Sequence, residues 1–118
     1  MKKPETTKRP WGEFIKFTDN IHSTVKILDI KKGGSLSLQS HKLREEFWYL
    51  LSGKIEVSIG KTEKKIKLKI LNVKDNIFIK KGTLHRAKAL KNSQILEIST
   101  GEFKENDEIR YSDQYGRN

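Results

Sequence analysis

Between residues 14 and 99 apolar and polar positions alternate with a period of two, and turn residues break the rhythm every eight to twelve positions. Successive strand side chains leave a sheet on opposite faces, so this pattern predicts the short strands of an all-β sandwich or barrel. Val25, Ile27 and the stretch from Leu28 to Ile30 form one strand, and Lys32-Gly33-Gly34 a turn. Leu36 and Leu38 then alternate with Ser37, Gln39 and His41, and Phe47, Tyr49 and Leu51 with Glu46, Trp48 and Leu50 ahead of Ser52-Gly53. Ile55, Val57 and Ile59 run into Gly60-Lys61 and Ile66, Leu68 and Ile70 return, which gives a meander with tight turns. After Asp75-Asn76 follow a strand at 77–79, a turn at Gly82, His85 and a last strand at 95–99. Residues 102–117 are charged and predict a loop or one short helix over the sandwich.

A chain of 118 residues accommodates one domain and no second module. No stretch approaches the roughly 20 apolar residues of a membrane span, and the basic start has no apolar core behind it for export. The expectation is a soluble cytoplasmic protein with no membrane partner. The absence of cysteine excludes disulfides, thiolate metal sites, iron–sulfur clusters and thiol nucleophiles, so a metal must bind through His, Asp, Glu or amide oxygen. The net charge of +10 favours an anionic partner. Its lysines, however, are spread singly or in pairs along the whole chain, as on solvated strand faces, so no nucleic-acid partner is expected.

The segment that carries chemistry lies between Lys31 and Gly53. Gln39 and His41, two apart on a strand, project from one face, and a short turn folds Glu46 back beside them. His85, after a glycine turn late in the sheet, supplies a fourth donor. Any one of these residues is more often a hydrogen-bonded structural group than a ligand. Together, an imidazole, carboxylate and amide set suits one divalent ion, with Zn, Mn, Fe, Co and Ni all acceptable and positions left open for substrate. Trp48, Phe47 and Tyr49 fit core positions by alternation, whereas Trp11 belongs to no periodic segment and is expected to fold across the barrel mouth or to pair with another subunit.

Gly33, Gln39-Ser40-His41, Glu46 and Gly53 reproduce the spacing of the first cupin motif, with Gln in place of its first His. The chain resembles the type II mannose-6-phosphate isomerase branch of the cupin superfamily. Leu36-Ser37-Leu38-Gln39-Ser40-His41 and Arg44-Glu45-Glu46-Phe47-Trp48 carry the likeness, together with Arg9-Pro10-Trp11-Gly12, Gly82-Thr83-Leu84-His85-Arg86, Ile109-Arg110, Asp113 and Tyr115-Gly116-Arg117. The likeness thus runs from about residue 9 to 117. Lys42, Leu43 and Phe47 stand where the family usually has further histidines, and Lys80 and Ala89 replace a Pro and an Asn of the second motif. The family often carries this domain behind a sugar-nucleotidyltransferase domain; here it is expected to stand alone.

The resemblance implies a single double-stranded β-helix, or jelly-roll, barrel with one divalent metal on Gln39, His41, Glu46 and His85, and a homodimer. It also implies interconversion of mannose 6-phosphate and fructose 6-phosphate, a step toward surface polysaccharide. Such a reaction moves a proton between adjacent carbons through an enediolate whose charge a cation stabilises. Glu97, a carboxylate within the apolar last strand, is the candidate base, with a pKa raised by burial; a solvent-facing or salt-bridged Glu97 is the equal alternative. Lys42, beside the metal ligands, is the next candidate. Arg44, Arg86 and Arg110 match family positions and are candidates for the phosphate, at least one of them being expected to serve as a structural ion pair. The alternatives are an isomerase or epimerase of another sugar phosphate or nucleotide sugar, which the replaced histidines favour, and a non-catalytic metal-binding or sugar-binding module, which an outward Glu97 would favour. Nucleic-acid binding, resting on net charge alone, comes last.

Overall fold

A computed structural model describes residues 3–104 and 106–116. Eleven strands occur among them: β1 Glu5–Arg9, β2 Gly12–Lys16, β3 Ser23–Ile30, β4 Leu38–Ser40, β5 Arg44–Ser52, β6 Ile55–Gly60, β7 Lys67–Leu71, β8 Asn76–Ile79, β9 Leu84–Ala89, β10 Ser93–Gly101 and β11 Ile109–Ser112. One sheet has the order β3-β10-β5-β8 and the other β11-β4-β9-β6-β7, all pairings being antiparallel. The two sheets face each other, and the chain passes between them, as the cupin jelly roll requires.

The expected meander is therefore corrected. Of the strands in these two sheets, only β6 and β7 pair as consecutive neighbours. Ser52-Gly53 does not close a hairpin but carries the chain from β5 in one sheet to β6 in the other. Local alternation places strands and turns correctly but carries no information on which strands pair, because both sheets have the same apolar inner face.

Alternation also explains where the site lies. Along the inward positions of β5 the residues run Leu50, Trp48, Glu46, Arg44; opposite them on β10 run Ile95, Glu97, Ser99. On β9 the inward run is Ala89, Ala87, His85, against Ile55, Val57 and Ile59 of β6. β5, β9 and β10 thus pass from apolar to polar in the same direction through the barrel, while the inward run of β6 stays apolar. One end is a dry core of Trp48, Leu50, Ile55, Val57, Ile79 and Ile95, all at most 2% exposed; the other end is lined with ionisable groups. Trp48 and Phe47 are buried on opposite faces of β5, and Tyr49 is half-buried on the outer face, where Phe17 packs edge-on against it at 5.1 Å.

Two segments depart from expectation. Part of the charged tail is strand rather than loop or helix: β11 pairs with β4, with Ile109 opposite Ser40 and Arg110 opposite Gln39. Arg117 lies outside the described residues. The aperiodic N-terminus forms the β1–β2 hairpin, and Trp11 sits at its turn, 73% exposed and stacked on Phe14 at 6.5 Å rather than lying over the barrel mouth.

Candidate metal centre

His41 lies just past β4, Glu46 on β5 and His85 on β9, and all three are at most 3% exposed. Their ligand atoms lie within 4.8 Å of one another. Glu46 Oε1 is 3.1 Å from His85 Nε2 and 3.5 Å from His41 Nε2. The far nitrogens are both tied to backbone. His41 Nδ1 donates to the carbonyl of Asp107 at 2.7 Å, and His85 Nδ1 to that of Thr83 at 2.9 Å. A carbonyl can only accept, so each Nδ1 carries a proton and each ring turns its Nε2 inward, toward the carboxylate. This is how a protein orients histidines for a metal.

The electrostatics agree. Burial alone would raise the Glu46 carboxyl, but the two imidazoles against it hold it well below the usual carboxylate range. Burial alone would lower His41; its contact with Glu46 and its bond to Asp107 outweigh that and raise it. Two inward imidazoles and an ionised carboxylate in one buried place form a donor set that a divalent cation fits. Gln39 lies opposite His85 in the β4–β9 register. Its amide nitrogen donates to Ser37 O and Oγ at 3.2 and 3.1 Å, which leaves the amide oxygen as the atom able to ligate a cation.

Glu97 is 6% exposed and faces the barrel interior. Trp48 Nε1 donates to its Oε2 at 3.0 Å. Burial and the neighbouring Glu46 push its carboxyl up to about 7, against the pull of the Trp48 bond and Lys26. Gln39, Arg44, Glu46, Glu97, Glu108 and Arg110 help to line a cavity of about 160 Å³. Larger hollows of about 420 and 500 Å³ elsewhere include none of His41, Glu46, His85 or Glu97.

The remaining sequence candidates are distributed unevenly. Arg44, 5% exposed, lies inside, its Nε 3.6 Å from Glu46 Oε2. Arg110 stands at the cavity rim, with Nε 2.7 Å from Glu108 Oε2. Arg86, next to inward His85 on β9, points outward, and its Nη1 is 3.5 Å from Ser112 Oγ. Lys42 is exposed at the β4–β5 turn and is not among the residues lining the cavity.

Two contributors had no signal in the sequence reading. The Asp107 carboxylate accepts the amides of Lys42 at 3.1 Å and Leu43 at 2.8 Å, fixing the turn between the ligands. Phe103 stacks over Arg44. Both lie in the charged tail, where no periodicity distinguishes a working residue from a solvated one.

The profile of the family described as "Mannose-6-phosphate isomerase C-terminal" matches residues 1–114. The chain belongs to this family. It is a cupin domain of the sugar-isomerase type. It is 33% identical over 115 residues to the xanthan biosynthesis protein XanB of Xanthomonas campestris pv. campestris, covering 92% of this chain and 23% of that protein. It is 30% identical over 115 residues to mannose-1-phosphate guanylyltransferase of Escherichia coli K12, covering 92% of this chain and 22% of the enzyme. The chain therefore spans under a quarter of the length of these curated relatives. Among solved structures, the TDP-quinovose 3,4-ketoisomerase WlaRB of Campylobacter jejuni matches with a TM-score of 0.73 and 18% identity, over 98% of this chain and 95% of that one. The Mycobacterium tuberculosis RmlC epimerase matches with 0.70 and 17%, over 91% and 65%. At such identities these two attest the cupin fold. No helix among the described residues is long and apolar enough to cross a membrane.

Proposed function

We propose that this domain is a metal-dependent aldose–ketose isomerase that interconverts mannose 6-phosphate and fructose 6-phosphate. The observation that carries the reading is the inward Glu97, a carboxyl poised at about 7 that lines one cavity together with Glu46, the carboxylate of the His41, Glu46 and His85 cluster. In this reading His41, Glu46 and His85, with the Gln39 amide oxygen, hold one divalent cation. The cation would supply positive charge for the oxygens of two adjacent sugar carbons as the proton leaves the carbon next to the carbonyl. Glu97 removes that proton and returns it to the neighbouring carbon, a task that wants a base with a pKa near working pH and not already committed to the cation. Trp48 holds the carboxylate in place. Arg44 and Arg110 bring positive charge to the cavity for the phosphate, whereas the outward Arg86 and the exposed Lys42 are left without a part.

The family and the relatives' names support mannose phosphate as substrate. A second reading, an isomerase or epimerase acting on another sugar phosphate or a nucleotide sugar, is favoured by Lys42, Leu43 and Phe47 at usual histidine positions. The test is metal analysis of the purified protein, then an isomerase assay on a panel of hexose and pentose phosphates and nucleotide sugars with that metal restored. Mannose 6-phosphate should be converted fastest; conversion of another member alone selects the second reading. The reading includes a homodimer, supported by exposed Val25 and Ile27 on the edge strand β3 and by Trp11, which sedimentation would show directly.

A further inference from the structure

Arg44 is the odd member of the buried cluster. Its Nη2 lies 3.4 Å from His41 Nε2 and its Nε 3.6 Å from Glu46 Oε2, so the guanidinium covers both groups. Its Nε is buried with no hydrogen-bond partner among the described residues. The outer part of the side chain is held from the tail: Nη1 donates to Lys104 O at 3.1 Å and the guanidinium carbon lies 4.3 Å from the Phe103 ring centre.

Because His41 Nδ1 carries its proton toward Asp107, Nε2 is the one ring nitrogen that can offer a lone pair. That lone pair can accept from a guanidinium or ligate a cation, but not both. Glu46 faces the same choice in charge. A permanent positive charge on Arg44 balances it already, and a divalent ion against the same carboxylate would sit beside that charge and be repelled by it. The orphaned Nε shows that Arg44 does not satisfy its own hydrogen bonds where it lies. Its position answers to the charge around it rather than to a complete bonding pattern.

We propose that Arg44 is the competitor of the metal at this centre: guanidinium and divalent cation claim the same His41 lone pair and the same carboxylate, so loading the metal requires Arg44 to withdraw from them. The inference rests on reading His41, Glu46 and His85 as metal ligands. Arg44 thereby sets how tightly the cation is held, in addition to the positive charge it brings to the cavity. Phe103, through its stacking, favours the guanidinium's position against His41 and so weakens the metal indirectly.

The test titrates Co²⁺ into the full chain after stripping with a chelator, by calorimetry and by the visible absorption of bound cobalt. Arg44→Met keeps most of the side-chain volume without the charge and should bind Co²⁺ about tenfold tighter than the parent or more. Phe103→Leu keeps Arg44 but loosens its seat and should tighten binding roughly threefold. A purely supporting role for Arg44 moves affinity the other way, since a disordered His41 binds less well. Should Arg44→Met fail to fold, Phe103→Leu decides by itself. His85→Ala separates the layers of the argument. If it abolishes binding while neither other variant binds tighter than the parent, the competition is refuted and the metal reading stands. If His85→Ala binds Co²⁺ as the parent does, or no protein in the set binds it, the metal reading fails and the competition with it. A parent that fails to bind beside an Arg44→Met protein that does bind would be the strongest form of the expected result.

Discussion

Trp48 and Glu97 face each other across the β5–β10 ladder, and the indole N–H donates to the carboxylate at 3.0 Å inside the barrel. The bond lies at the junction between dry core and polar cavity, so the same side chain that closes the core also aims the candidate base. Glu97 is thereby a buried acid that takes a neutral donor from Trp48 on one side and the repulsion of Glu46 on the other. Its value of about 7 has a thermodynamic consequence as well as a chemical one.

Glu97→Gln should separate the two. Gln keeps an oxygen to accept from Trp48 but cannot take a proton, so turnover should fall by about 10²- to 10⁴-fold with metal content unchanged. In the metal-free protein the folded-state value lies above the ordinary 4.5. The folded state therefore binds this proton more tightly than the unfolded chain. That contribution is fully present below about 4.5 and is lost as pH rises through about 7. Glu97→Gln should thus gain stability relative to the parent between pH 5 and pH 8, by at most about 3 kcal/mol. Chemical denaturation of both proteins at the two pH values measures it; parallel curves would place Glu97 in water.

The candidate metal centre has a built-in reporter. The Trp48 ring lies 5.5 Å from the His85 ring, and Trp11, the chain's other tryptophan, is 73% exposed on the hairpin. In a Trp11→Phe background, Ni²⁺ should quench most of the remaining fluorescence and a chelator should restore it. Adding His85→Ala should remove the quenching at the same metal concentration while leaving a cooperative unfolding transition, since the apolar end of the barrel is untouched. Quenching that persists would place the ion elsewhere.

The passage between sheets can be tested at Gly53. Its φ of +87° lies where side chains are strained, and an added Cβ would meet the Ser93 Oγ and the backbone of Asn92 and Ser93. These lie where the chain enters β10, at whose first residue Ser93 Oγ accepts from the amide of Lys54 at 3.1 Å. Gly53→Ala should destabilise the protein by about 2 to 4 kcal/mol in urea denaturation, combining left-handed strain with the displaced backbone. Gly82→Ala, also at positive φ but with nothing within 4 Å of the added carbon, should cost only the smaller conformational part, about 1 kcal/mol.

What was legible in the sequence follows from what produces a period. Val57, Trp48 and Ile95 announce their strands because one face is buried, and Gln39, His41, Glu46 and His85 were assembled from motif spacing before any pairing was known. β1 and β2 stayed hidden because nearly all of their positions are exposed or half-exposed, and a strand without a buried face leaves no alternation. β11 was missed for a related reason: of its four positions only Tyr111 is half-buried, and backbone pairing with β4 holds the rest. The outward turn of Arg86, by contrast, was open to the alternation rule. Proximity to His85 in the chain suggests the site, whereas adjacent residues on a strand must face opposite ways.

That difference between two arginines supports the last prediction. Arg110 lies opposite Gln39 in the β11–β4 register and lines the cavity, with its Nε bound to Glu108 at 2.7 Å; Arg86 leaves the other face of β9. A phosphate reaching the mouth could be met by Arg110 but not by Arg86. Charge-assisted bonds of this kind contribute about 1.5 to 3 kcal/mol, so Arg110→Ala should raise KM for mannose 6-phosphate roughly 10- to 100-fold. The loss is deepened by Glu108, which would then face the dianion with its counter-charge removed. Mannose without phosphate feels neither effect, and its weak conversion or binding should change by less than about threefold. Arg86→Ala should leave both substrates within about twofold of the parent, because only Ser112 loses a partner. Equal losses for the phosphorylated and free sugar in Arg110→Ala would make the residue a structural pair for Glu108. A phosphate-selective loss in Arg86→Ala would instead mean that the substrate approaches over the outer face of the five-stranded sheet.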